Sequence, residues 1–128
     1  MQVTSTVPNG AGHYIDLNTA IMMTTRFRQH REQILDAGMQ GRDILPLSET
    51  FNRQAIDALL AVPGCAGLRI YPGMDEDKKV HAIMVPVNEA NEDMLPVSAA
   101  SAAGADDPIV EMGQRCPFYC PPASKLNS

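Results

Sequence analysis

The sequence predicts a small α+β domain, an antiparallel sheet of three to four strands with two helices packed on one face. Three observations predict it. Residues 63–88, PGCAGLRIYPGMDEDKKVHAIMVPVN, hold the densest run of β-branched and apolar residues, bounded by turn signals. Asp16 opens a stretch, residues 17–37, whose apolar side chains recur at helical spacing before Gly38. Asn52 opens a second such stretch, residues 53–62, which Pro63-Gly64 ends. A chain of 128 residues is one domain and long enough to bury a core.

The central stretch reads as a β-hairpin. Leu68–Met74 is its first strand, Val80–Val87 its second, and Asp75-Glu76-Asp77-Lys78-Lys79 the loop. Strand residues alternate faces, so Leu68 and Ile70 share one face while Arg69 and Tyr71 share the other. The second strand is apolar on both faces towards its end, which predicts cover on both sides by helices or by another chain. Pro72 and Pro86 donate no ladder hydrogen bond, so each requires an edge position, a bulge or a strand end.

Residues 1–13 are rich in Gly, Pro, Ser, Thr and Asn and read as an N-terminal arm. The α+β core domain then runs over residues 14–93. In the first helix Ala20, Met23, Phe27 and Ile34 form a stripe, with Leu17, Ile21 and Leu35 beside it. Residues 43–51 read as a short edge strand that Pro46 keeps at the edge. Phe51 and Ile56 stand at hydrophobic-staple spacing around the Asn52 cap. Residues 94–107, including SAASAAGADD, read as a small-residue linker or wrapping loop. Residues 108–128 carry a last strand at 109–112 and a Pro/Cys-rich tail. One core is expected, containing Phe27, Ile34, Ile56, Leu59, Leu60, Leu68, Ile70, Ile83 and Val85.

Composition narrows function. A net charge of −5 argues against general binding to nucleic-acid phosphates, and the absence of Trp argues against base-stacking platforms. No apolar run approaches the roughly 20 residues of a membrane span. The start MQVTSTVPNGAG lacks the basic and apolar regions of a signal peptide. Three cysteines do not make a secreted disulfide framework, so a cytoplasmic location is expected.

Cys116 and Cys120 have C-x3-C spacing. A zinc site would need further ligands, which Cys65 and one of His13, His30 or His81 would have to supply. The plainer reading is a buried Cys65 and two tail thiols, or a local Cys116–Cys120 disulfide. His30 has no second histidine four residues on, so it opens no metalloprotease helix, and His81 reads as a hydrogen-bonded strand residue. Arg26, Arg28 and Arg31 form a basic face, with Glu32 nearby to pair with it. Asp75-Glu76-Asp77 lacks the glycine and the late glutamate of a calcium loop, and no glycine-rich phosphate loop occurs. No catalytic residue is assigned and no cofactor is expected.

Gly64-Cys65-Ala66-Gly67-Leu68-Arg69-Ile70-Tyr71 followed late by Cys116-Pro117-Phe118-Tyr119-Cys120-Pro121 resembles a group of short, uncharacterised bacterial proteins. They share a helix, a Gly-Cys turn, a Leu/Ile-Arg-Ile-Tyr strand and a Cys-Pro-x-x-Cys tail. The resemblance covers residues 15–122 and implies no activity. The expectation is a non-enzymatic structural or interaction protein that self-associates as a homo-oligomer through its arm and tail. Its candidate contact residues are Tyr71, Val85, Val87, Phe118 and Tyr119. The alternative is a small metal- or ligand-binding module built on Cys65, Cys116 and Cys120, and an enzyme ranks third.

Overall fold

The structure, a computed structural model, describes residues 6–96 and 108–128. Residues 1–5 of the predicted arm and 97–107 of the predicted linker lie outside the described residues. The elements are α1 (Leu17–His30), β1 (Ser48–Thr50), α2 (Arg53–Leu60), β2 (Gly67–Met74), β3 (Val80–Val87) and β4 (Gln114–Cys116). The α+β class is as the sequence predicts. The four strands form two antiparallel ladders, β2–β3 and β1–β4, rather than one joined sheet.

The hairpin register runs from Gly67 opposite Val87 to Met74 opposite Val80. It explains both prolines. The even-numbered residues of β3 turn their backbone groups away from β2: Val80 N–H donates to Ile44 O at 2.8 Å, and Met84 exchanges bonds with Val110 at 2.8 and 2.9 Å. Ala82 N–H donates to the Glu49 carboxylate at 2.8 Å. Pro86 falls where the next outward donor would stand, and its carbonyl accepts from Met94 N at 2.9 Å. Pro72 lies opposite Ala82, so its missing donor would also have pointed away from the ladder. Neither proline removes an inter-strand bond. The far edge of β3 is sealed by three different segments, which removes an open template for pairing.

The core lies where α2 crosses this hairpin. Leu59, Met84 and Val110 are its buried centre, and Phe51, Ala55, Ile56 and Leu68 pack against it. Asn52 Oδ1 accepts from Gln54 N at 2.7 Å and fixes the start of α2. Phe51 and Ile56, on either side of that cap, reach the same cluster, as the staple spacing predicts. A two-stranded ladder is about 5 Å between strand axes, whereas a helix with its side chains is about 10 Å across. One helix therefore suffices to cover the face that carries Leu68 and Met84, and α2 is that helix.

This corrects the expectation of one core shared by both helices. No residue of α1 is buried. Phe27 is 38% exposed and Ile34 72%. Leu60 and Ile70, also expected inside, are exposed as well. The first helix is also shorter than the sequence predicts, ending at His30 instead of Ala37. Asp16 Oδ1 caps its start through Thr19 N at 2.7 Å. Beyond His30 the bonding tightens to three-residue spacing, with Gln33 N on His30 O at 2.9 Å and Leu35 N on Glu32 O at 3.1 Å. The Arg31 guanidinium donates to Leu45 O and ties this turn to the segment before β1.

The predicted last strand at 109–112 is a single bridge at Val110, and the paired strand comes later, at Gln114–Cys116. Met112 adopts φ +68°, which breaks the extended run. At Gly113 a Cβ would stand 2.6 Å from the Phe51 ring and 2.8 Å from Glu49 Oε2, so any other residue displaces these side chains. Arm and tail both touch their own domain. Thr6 N–H donates to Glu89 O at 2.7 Å, and Arg28 donates to the carbonyls of Leu126 and Ser128.

Candidate functional site

Three arrangements of polar or exposed apolar side chains stand out. The first is a charged seam along the outer edge of β3. Glu49 and Arg115 are opposite one another in the β1–β4 register. Both aim at β3. Glu49 Oε1 accepts from Ala82 N, and Arg115 Nε donates to Val80 O at 3.0 Å. The same guanidinium donates to Asp43 O at 2.9 Å and Ile44 O at 3.1 Å. Beside this seam His81 Nε2 meets Asp75 Oδ2 at 2.7 Å. His81 Nδ1 stands 3.1 Å from Glu111 Oε1 without a hydrogen bond's alignment, so that contact is an ion pair only when the ring is protonated. The His81 hydrogen bond, ahead of the backbone donors of Lys79 and Asp77, holds the Asp75 carboxyl below the usual carboxylate range.

Activating a nucleophile needs a hydroxyl or thiol within hydrogen-bond reach. The side-chain partners of His81 are Asp75 and Glu111, both carboxylates. Among the described residues no three His, Cys, Asp or Glu side chains form a group that could hold a metal ion. The bonds of Glu49 and Arg115 run to the outer edge of β3 and to the segment before β1.

The second arrangement is a clamp on the turn after β3. Arg69 and Tyr71 share a strand face, as the alternation predicts, and both reach Asp93. Arg69 donates to Asp93 Oδ1 and to Asn91, while the Tyr71 hydroxyl donates to Asp93 Oδ2. The Tyr71 bond first, and Arg69 next, hold the Asp93 carboxyl below its ordinary range. A carboxyl whose folded pKa is lowered contributes stability that is present above its unfolded pKa, about 3.9, and is lost as pH falls through the folded value. Acid is thus expected to open this turn. Tyr71→Phe should move the Asp93 carboxyl titration to higher pH, followed by carboxyl-carbon NMR; an unmoved titration would show that the hydroxyl does not hold it.

The third arrangement is an open groove on α1 and the turn after it. Met23, Arg26, Phe27, His30, Arg31 and Ile34 line a space of about 290 Å³. Its apolar floor is the stripe read from the sequence, here facing outward. Behind the same helix Met23 and Phe27 line a second space, of about 160 Å³, together with Leu47 and, from the tail, Leu126.

The other sequence-predicted residues are dispersed. Cys116 and Cys120 form a disulfide with Cα atoms 4.5 Å apart. Cys65 is free, half-buried, and its thiol donates to Gly67 O at 3.3 Å. His13 lies in an exposed turn, and His30 meets Gln33 at 2.9 Å. Val85 and Val87, named as contact residues, are 3% exposed and buried in this single chain. Phe118 and Tyr119 are 82% and 69% exposed. Glu49 and Arg115 were not singled out by sequence, where each reads as an ordinary charged residue. No helix of the described residues is long and apolar enough to cross a membrane. The chain matches no protein-family model, no curated protein and no solved structure.

Proposed function

We propose that this chain is a non-enzymatic interaction protein that self-associates, with the α1 groove as its principal contact surface. The observation that carries this reading is a 14-residue helix with an apolar stripe and no buried residue. A helix of this length is marginal in water and draws most of its stability from packing of its apolar face. Met23 and Phe27 on the helix, with Ile34 in the turn after it, leave that face open, 38–72% exposed. Exposed apolar side chains gathered in one groove favour contact with another surface. The exposed pair Phe118 and Tyr119 adds an aromatic contact from the tail. The arm and tail, which already bond to their own domain through Thr6 and Arg28, then act as supports of the surface.

Sedimentation velocity over a concentration series tests this. The full chain is expected to form assemblies whose proportion rises with concentration. Ile34→Asp should weaken association by about 10- to 100-fold, since burying such a side chain contributes about 1.5–3 kcal/mol. A full-length chain that stays monomeric at high micromolar concentration would overturn the proposal.

A further inference from the structure

We infer that the copies join head to tail, the acidic turn at residues 88–95 of one copy seating on the α1 groove of the next. This rests on the self-association proposed above. Charge decides the occupant. Residues 17–34 carry Arg26, Arg28 and Arg31 against one acidic residue, Glu32, in a chain whose net charge is −5. Arg26, His30 and Arg31 rim the groove. Two grooves placed face to face would oppose like charges, which disfavours a two-fold contact of α1 with α1. The complementary surface is therefore acidic, with an apolar side chain to fill the floor.

Two loops of this chain are candidates. The hairpin tip offers Met74, 66% exposed, with exposed Glu76 and Asp77, but Lys78 and Lys79 follow directly and would meet the arginine rim. The turn at 88–95 holds Glu89, Glu92 and Asp93 with no Lys or Arg among its residues. Asp93 is engaged by Arg69 and Tyr71, which fixes the turn's shape. Glu92 also closes it, through Asn88 Nδ2 at 3.1 Å. Glu89 and Glu92 are exposed on its surface, and Leu95 stands beside them 58% exposed. A preformed acidic turn with one exposed leucine complements an apolar groove lined by Arg26 and Arg31. Because groove and turn are different surfaces, the contact is heterologous, and repetition yields a ring or an open chain.

Ile34→Asp spoils the groove and Leu95→Asp spoils the turn, at side chains 72% and 58% exposed, so the fold is not put at risk. Each variant alone is expected to associate about 10- to 100-fold more weakly, and so to be monomeric at concentrations where the wild type has just assembled. Mixed, the intact turn of the first should seat on the intact groove of the second and stop there, giving a one-to-one heterodimer by light scattering. Raising salt should weaken the wild-type assembly. If Leu95→Asp assembles like wild type while Ile34→Asp does not, this inference fails and self-association stands. A mixture that stays monomeric also overturns it. A monomeric wild type overturns both readings.

Discussion

Leu59→Ala is expected to lower the unfolding free energy by about 2–5 kcal/mol, the range for truncating a buried leucine. Leu59 is fully buried and sits between Met84 of β3 and Val110 of the returning segment. Ten of the described residues are buried, so the core is small and each member matters. Single domains have about 5–15 kcal/mol in total, and the loss is a large part of that. The neighbouring Leu60 is 52% exposed and serves as the control: Leu60→Ala should cost under about 1 kcal/mol. Urea unfolding of both variants with a common slope decides the matter. Equal losses would mean that α2 does not present Leu59 alone to the hairpin.

The hairpin and α2 were legible because their signals are local. Turn residues, an Asn52 cap and a staple pair all act within a few positions, and each lies where the sequence places it. The alternation of β2 likewise located Arg69 and Tyr71 on one face, although it could not name Asp93 as their shared partner. What the sequence hid is long-range. Helical spacing identifies the stripe of Met23, Phe27 and Ile34 but not what it packs against. The same pattern suits a core helix and an interaction helix. The end of α1 was hidden too, because the apolar spacing runs on to Leu35 after the bonding has tightened. The buried pairing of Met84 with Val110 spans residues 84 and 110, and no periodicity announces it.

The charged seam shows the same limit from the other side. A glutamate and an arginine read as solvated residues until a register puts them opposite one another. Here Glu49 substitutes for a strand carbonyl and Arg115 for strand amides along the edge of β3. Nothing in the order of residues 49, 82 and 115 marks that role. The candidate interaction surface was half legible: the stripe and its basic rim were visible, while their outward orientation needed the fold. Two of the predicted contact residues, Val85 and Val87, were apolar for the ordinary reason that β3 is the covered strand.

Arg115→Met is expected to cost about 3–5 kcal/mol, roughly two hydrogen bonds from a charged donor to buried carbonyls. Arg115 is 9% exposed, and its guanidinium serves Val80, Asp43 and Ile44 carbonyls. Hydrogen bonds from a charged donor contribute about 1.5–3 kcal/mol each, so three of them bound the loss from above. Ile44 O retains the Val80 N–H as a partner, whereas Val80 O and Asp43 O lose the donor described for them. The loss is thus nearer two bonds than three. Methionine keeps an apolar stem in the space and isolates the polar contribution. Arg115→Lys should recover only part, because one ammonium has no planar fork to span three carbonyls. Urea unfolding gives the magnitude, and amide exchange gives the place. Protection should fall first at Val80 and Ala82, the β3 donors held by the segments that Arg115 and Glu49 position. Met84, whose bonds go to Val110, should keep more of its protection. A loss below about 1 kcal/mol, or uniform exchange across all three, would mean that the seam does not fasten the β1–β4 ladder to the hairpin.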